Sequence, residues 1–181
     1  MLSLNWKRHL PNTVFICPNG HEPCPINPSG YQWFDLTKDD PIYILEESLK
    51  AEKILNKFIN EVKNKFNLEN SKICLSGFSQ GCMMSINLGV TSDKKYNCII
   101  GFSGKIINIK DLETRKKSST STLLIHGDTD QVVPANHMLE AKDFFIRNNI
   151  DIETHLIKNC DHHIPMESSS IALSYIQKNI E

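Results

Sequence analysis

Long hydrophobic runs are missing from this sequence. No uncharged stretch among the 181 residues approaches the roughly 20 apolar residues that a membrane-spanning helix needs. The first nine residues, MLSLNWKRH, also lack the apolar stretch that follows the basic start of a signal peptide. An excess of charge is missing too, since the formal net charge is -1. We therefore expect no membrane span and no nucleic-acid partner.

Internal repeats and linker-like segments are absent as well, and 181 residues suit one hydrophobic core. We therefore expect a single domain over residues 1–181. Six cysteines occur, at positions 17, 24, 74, 82, 98 and 160. Because three of them fall in segments predicted to be core strands or helices, we interpret them as reduced thiols, which indicates a cytoplasmic protein.

Apolar patterning predicts strands that alternate with helices, which favours an α/β fold with a mostly parallel sheet and helices on both faces. Residues 18–40 are predicted to form a long irregular loop with an aromatic cluster, and residues 105–121 a polar surface loop. The predicted strands are 14–17, 72–76, 97–102, 122–126 and 152–157, and the predicted helices are 41–66, 80–90, 134–149 and 167–179.

A Gly-x-Ser-x-Gly turn joins the predicted strand at 72–76 to the helix that follows. This context is typical of a nucleophile elbow, in which Ser79 lies at the tip of a sharp turn and Gly77 and Gly81 leave room for neighbouring backbone. The N–H of Gln80 would then lie at the helix N-terminus, where it is placed to stabilise an oxyanion. The alternative is a glycine-rich turn with a solvated serine.

A serine hydroxyl needs a base to accept its proton, and the base is usually a histidine oriented by a carboxylate. Here acidic residues at 128–130 and histidines at 162 and 163 follow Ser79, each just after a predicted strand. Serine, acid and histidine occur in this order in α/β-hydrolases. Because these strand ends share one edge of a parallel sheet, we expect the three groups to meet there.

Two other interpretations of the histidine segment stay open. The histidines can be ordinary solvated loop residues. Alternatively, Cys160–His163 can bind a metal together with His21 and Cys24, although the segment lacks the paired spacing of a zinc site. We expect no metal.

Four stretches of this sequence closely resemble the phospholipase/carboxylesterase family, which includes the acyl-protein thioesterases. The resemblance runs over almost the whole chain and implies a serine hydrolase that acts on carboxylic esters or thioesters without a metal or organic cofactor. The stretches are NPSGYQWFD at 27–35, GFSQG at 77–81, GFSGK at 101–105 and HGDTDQVVP at 126–134.

The resemblance also assigns roles. Ser79 matches the family nucleophile, Asp130 the acid and His162 the base. Asp128 is then a turn former. His163 is the alternative base, because Asp161 stands where the family usually has glycine.

By analogy with the family, Trp33 and Phe34 would contact the acyl group of the substrate. They can equally anchor their loop to the core.

Family members carry additional strands and a His-Gly loop before the segment that matches 14–17, and that loop holds the second oxyanion N–H. We therefore expect an α/β-hydrolase fold that is truncated at its N-terminus, with Gln80 as the remaining oxyanion donor. We also expect the strand at 14–17 to move beside the strand at 72–76, or a second copy of the chain to cover that edge as a homodimer.

Three hypotheses follow. The chain is an esterase or thioesterase whose oxyanion hole is completed by another group. Alternatively, it is a catalytically impaired remnant that binds acyl ligands, or a structural partner that pairs through an open sheet edge.

Overall fold

The computed structural model describes residues 2–180, which form six helices and six strands. In chain order these are α1 (Leu2–Trp6), β1 (Glu22–Cys24), β2 (Asn27–Gln32), α2 (Pro41–Phe66), β3 (Cys74–Phe78), α3 (Gln80–Thr91), β4 (Cys98–Phe102), α4 (Ile109–Arg115), β5 (Thr122–Gly127), α5 (Asn136–Arg147), β6 (Ile152–Ile157) and α6 (Met166–Ile180). A short 3-10 turn at Asn70–Lys72 leads into β3.

Four of the strands form a parallel sheet in the order β3-β4-β5-β6. Cys74 of β3 lies opposite Cys98 of β4, and Thr122 of β5 lies opposite Ile152 of β6. The strands β4 and β5 are buried along their whole length. The predicted parallel α/β sheet is confirmed, and its carboxyl edge collects the turns that follow β3, β5 and β6.

Helices cover both faces of the sheet, as predicted. On one face α3, α4 and α5 pack over Ile99 and Leu124. On the other, α1 and α6 pack over Ile100 and Leu123. The long helix α2 packs outside α3, with Leu55 in a cluster that also contains Met84. Alternating strand residues thus enter opposite cores, as a sheet buried on both faces requires.

The bounds of α2 follow from its sequence. Asp40 caps its first turn by accepting hydrogen bonds from the N–H groups of Ile42 and Tyr43, at 2.9 and 3.4 Å. Pro41 opens the helix, and Asn67 ends it in the left-handed conformation. The predicted helix at 41–66 is confirmed.

The predicted strand at 14–17 is wrong. This segment is irregular, and Val14 and Ile16 are 64% and 41% exposed, while Phe15 packs on the α6 side of the sheet. Among residues 2–180, β3 pairs with β4 alone, so the expected move of 14–17 beside β3 does not occur. An apolar run becomes a strand only where a neighbour supplies backbone partners, and here none does. The homodimer stays a prediction.

Two predicted loops contain regular structure. Within 18–40, β1 and β2 form an antiparallel hairpin, with Glu22 opposite Gln32. Within 105–121, Asn108 caps α4, and its side chain accepts from the Asp111 N–H at 3.0 Å. Both elements are short, and α4 buries only Leu112, so their hydrophobic patterns are too weak to predict them.

The helix α5 starts two residues later than the sequence predicts. The helix begins at Asn136, and Pro134 precedes it. Its buried face carries the predicted Met138, Ala141 and Phe145. Among the helices within residues 2–180, none is long and apolar enough to span a membrane.

Candidate active site

Ser79 occupies the sharp turn between β3 and α3. Its backbone has φ 53° and ψ -118°, a conformation that non-glycine residues rarely adopt. The Ser79 N–H donates to Phe102 O at 2.9 Å, and Ser79 O accepts from the Met83 N–H at 3.1 Å. The surrounding backbone therefore holds the serine in a strained conformation at the carboxyl edge of the sheet, where its side chain is half-buried.

The turn is tight because Gly77 lies against the first turn of α3. A Cβ on Gly77 would lie 2.1 Å from the carbonyl oxygen of Gly81, so no side chain fits there. At Gly81 the nearest atom to a Cβ would be Trp33 Nε1 at 3.9 Å, an ordinary contact distance. The prediction that glycine gives room for backbone is confirmed at Gly77 and is wrong at Gly81.

Asp130 and His162 meet across the loops that follow β5 and β6. His162 Nδ1 lies 2.7 Å from Asp130 Oδ2, and the aspartate side chain is fully buried. This hydrogen bond fixes the tautomer of His162 with its proton on Nδ1, which leaves Nε2 as an acceptor. The imidazole also lies against the ring of Phe78, the residue before Ser79, with 4.7 Å between the ring centroids.

Backbone contacts hold these two loops together. The Thr129 N–H donates to Cys160 O at 3.0 Å, and the Cys160 N–H donates to Asp128 Oδ1 at 3.3 Å. A Cβ on Gly127 would lie 2.2 Å from Cys160 O, so the close approach requires glycine. Asp128 thus fixes the turn, whereas Asp130 faces the histidine.

The carboxyl group of Asp130 has further donors. Its Oδ1 accepts from the N–H groups of Val132 and Val133, at 2.9 and 2.8 Å. Burial by itself would raise the pKa of Asp130, but the hydrogen bonds from His162 and from these two N–H groups outweigh it and hold that pKa below its usual value. Asp130 is therefore an ionised acceptor for His162 near neutral pH.

His126 is a third group at this site, and sequence reasoning assigned it no role. Its Nε2 lies 2.7 Å from Val133 O and 3.5 Å from Asp130 Oδ2. Burial lowers the pKa of His126 despite the raising effect of Val133 O and Asp130, so the ring is neutral and donates to Val133 O. It supports the loop that presents Asp130. In the sequence, only its place in the HGDTD motif pointed to a role for His126 at this site.

The other candidates lie in different surroundings. His163 is more than half exposed and contacts Asp161 rather than Asp130. Phe34 is 1% exposed and packs in the core with Leu55, so we correct the expectation that it contacts substrate, and its role is to anchor the loop. Trp33 is half-buried beside the first turn of α3.

Gln80 links this loop to the elbow. Its side-chain Oε1 accepts from the Trp33 N–H and its Nε2 donates to Phe34 O, both at 2.9 Å. Its own backbone N–H lies at the N-terminus of α3, where unpaired donors and the helix dipole favour negative charge.

Within residues 2–180 the Ser79 hydroxyl makes no hydrogen bond, so His162 is joined to Asp130 but not to Ser79. Catalytic hydrogen bonds of this kind often tighten only when substrate binds. The same residues contain no cluster of three or more His, Cys, Asp or Glu side chains that could hold a metal ion.

Comparison with known proteins identifies the family of the chain. The family model for phospholipase/carboxylesterase matches residues 1–180. The chain belongs to the phospholipase/carboxylesterase family. As a member of that family it is a carboxylesterase-like or thioesterase-like hydrolase.

Similar curated proteins include the esterase YpfH of Escherichia coli (strain K12), 25% identical over 97% of this chain and 75% of its own length. Another is acyl-protein thioesterase 1 of Yarrowia lipolytica, 27% identical over 96% of this chain and 81% of its own length. Both relatives therefore contain residues outside the region that matches this phospholipase/carboxylesterase family member.

Solved structures show the same fold. The crystal structure of esterase PE8 superposes with a TM-score of 0.93 at 32% identity, over 98% of this chain and 83% of that chain. Arabidopsis thaliana SOBER1 superposes with a TM-score of 0.82 at 17% identity, over 99% and 90% of the two chains. The α/β-hydrolase fold expected from the sequence is confirmed.

Proposed function

We propose that this phospholipase/carboxylesterase family member cleaves carboxylic esters or thioesters through a Ser79-Asp130-His162 triad and an acyl-enzyme. The hydrogen bond between His162 Nδ1 and Asp130 Oδ2, 2.7 Å long and beside the strained Ser79 turn, carries the proposal. It leaves the other nitrogen of a neutral imidazole as the base, which is the arrangement that a serine nucleophile needs.

The reaction would proceed in two halves. His162 Nε2 accepts the Ser79 Oγ proton as Oγ bonds to the substrate carbonyl carbon, and the oxyanion forms near the Gln80 N–H at the N-terminus of α3. The carbon–oxygen or carbon–sulfur bond to the leaving group then breaks, and His162 gives its proton to the departing alcohol or thiol. Water repeats the sequence on the acyl-Ser79 ester and releases the carboxylic acid.

The proposed substrate class rests on the family and on Trp33, the aromatic side chain beside the elbow. The relatives named above are an esterase and an acyl-protein thioesterase, which supports carboxylic esters or thioesters as substrates. We propose that the acyl groups are small to medium in size. Trp33, half-buried beside the elbow, would contact the acyl group. The triad chemistry needs no metal or organic cofactor.

The proposal also covers the domain organisation and the cellular location of the enzyme. We propose one domain over residues 1–181, because three hydrophobic clusters share the sheet and its helices. The six cysteines form no disulfide, which supports the cytoplasm as location. A single cooperative unfolding transition would test the first statement.

The decisive experiment is labelling of the purified protein with a fluorophosphonate, followed by intact mass. We expect one adduct on the wild type and none on Ser79→Ala. Thermal unfolding of both proteins serves as the control for folding. An unlabelled but folded wild type would overturn the proposal and favour an impaired hydrolase that binds acyl ligands.

A further inference from the structure

The indole of Trp33 lies against the first turn of α3, where the proposed reaction builds up negative charge. Its Nε1 is 3.9 Å from the point where a Cβ of Gly81 would lie, and apart from the chain neighbours of Gly81 and the α3 backbone no other heavy atom comes within 4 Å of that point. Gly81 follows Gln80, whose backbone N–H is the proposed oxyanion donor. The absence of a side chain at Gly81 thus leaves the polar edge of the indole open to this turn.

The position of Trp33 is fixed by the same residue that supplies the first donor. The Gln80 amide accepts from the Trp33 N–H and donates to Phe34 O, both at 2.9 Å. Phe34 itself is locked in the core. A two-point hydrogen bond and a buried neighbour leave the Trp33 backbone little freedom, so its side chain is preorganised relative to Gln80.

The indole N–H of Trp33 has no acceptor within residues 2–180. The other tryptophan provides the contrast, since Trp6 Nε1 lies 3.0 Å from Ser169 Oγ and 3.2 Å from Ser169 O. Trp6 is 4% exposed, and a buried indole N–H usually finds a partner in the protein. Trp33 is only half-buried, so its N–H can exchange a water acceptor for another oxygen. That of Trp33 is therefore available for an oxygen of a bound molecule.

We propose that Trp33 Nε1–H is the second oxyanion donor of this enzyme, acting beside the Gln80 N–H. The inference rests on the proposed function and deepens it. Trp33 then does more than contact the acyl group, because its N–H binds the oxyanion and makes it a catalytic residue. No proton is transferred to or from the indole. Its N–H strengthens one hydrogen bond as the carbonyl oxygen of the substrate becomes an oxyanion, so its effect belongs to the transition state.

The test compares Trp33→Phe with wild type on 4-nitrophenyl butyrate. Loss of one oxyanion donor costs about 10²-fold in kcat, whereas KM should change by less than about threefold. Inhibition by n-butylboronic acid, which forms a tetrahedral adduct on the serine, should weaken by a factor similar to the loss of kcat/KM. Tyr31→Phe is the matched control, because this exposed tyrosine lies two residues away, and we expect its constants to stay within about twofold of wild type.

A second variant separates shape from hydrogen bonding. Trp33 is replaced by β-(3-benzothienyl)alanine, which keeps the bicyclic shape and lacks the N–H. We expect it to lose kcat as Trp33→Phe does. Wild-type kcat in this variant, or a rise in KM without loss of kcat, would overturn the inference and leave Trp33 as a contact for the acyl group only. A wild type that neither hydrolyses the ester nor reacts with the fluorophosphonate would instead overturn the proposed function, and this inference with it.

Discussion

His162 and Asp130 are 32 residues apart in the sequence, yet their Nδ1 and Oδ2 atoms lie 2.7 Å apart. The aspartate reaches the histidine from a buried position, where the Val132 and Val133 N–H groups hold its other oxygen. The carboxylate is therefore oriented before any substrate binds, and its contribution can be isolated by single substitutions.

Asp130→Asn should lower kcat on 4-nitrophenyl butyrate by about 10³- to 10⁴-fold, because an amide N–H turned toward His162 would select the wrong tautomer. The matched control is Asp128→Asn, since Asp128 bonds the Cys160 N–H of the neighbouring loop. We expect that variant to retain kcat within about threefold. Equal losses in both variants would show that Asp130 has no special part in the chemistry.

Gly77→Ala should destabilise the protein by about 3 kcal/mol, because its methyl group would lie 2.1 Å from a backbone oxygen that cannot move away alone. Gly81→Ala is the control. Its Cβ meets nothing closer than 3.9 Å, and alanine favours a helix over glycine by up to about 1 kcal/mol. Urea unfolding measures both, and a Gly77→Ala variant as stable as Gly81→Ala would contradict the tight turn.

Arg115→Ala should also destabilise the protein. Arg115 Nη1 lies 2.8 Å from Glu52 Oε1, and the glutamate side chain is only 8% exposed, so the substitution leaves a buried carboxylate without its cation. We expect a loss of about 3 kcal/mol in urea unfolding. Lys117→Ala breaks the pair with Asp93, whose side chains are 58% and 84% exposed, and should cost less than about 1 kcal/mol. Similar losses would refute the buried pair.

Acidification from pH 7.5 to 5.5 should reduce the free energy of unfolding of wild type more than that of His126→Gln. Burial lowers the pKa of His126 in the folded protein below 6.5, its value in the unfolded chain. At a pH between the folded and the unfolded pKa, the unfolded chain therefore binds a proton that the folded protein does not. Stability from this group is full above about pH 6.5 and falls as the pH drops toward the folded pKa.

The Asp130 carboxyl does not complicate this experiment. Its pKa is lowered from 3.8, so its stabilising effect is lost only below that pH. Urea unfolding at both pH values measures the difference between wild type and His126→Gln. Equal losses in the two proteins would contradict a buried neutral His126.

Local patterns predicted much of the fold. The α2 helix, the four parallel strands and the elbow were recognisable because each carries a strong hydrophobic period or a glycine-bounded turn. The segment at 14–17 shows the limit of this reasoning. It has the composition of a strand but no partner strand in the structure, and pairing depends on distant residues.

The roles at the candidate site divide in the same way. Sequence order and the family motifs selected Ser79, Asp130 and His162, because a motif records chemistry together with its local turn. They did not separate the two adjacent histidines by geometry, and they left open whether Phe34 contacts substrate or anchors its loop. The structure brings His162 to Asp130 and buries Phe34, because the direction of a loop side chain is set by what packs around the loop.

The sequence by itself determined the α/β class, the elbow and the family, since these depend on periodicity and on short motifs. Only the tertiary structure decided that Gln80 clamps Trp33 and Phe34, that His126 supports the Asp130 loop and that Arg115 neutralises Glu52. Each of these contacts joins separate elements or depends on the fold of a loop. A buried polar group finds its partner through the packing of the whole chain, and no local sequence pattern encodes the distance between the two partners.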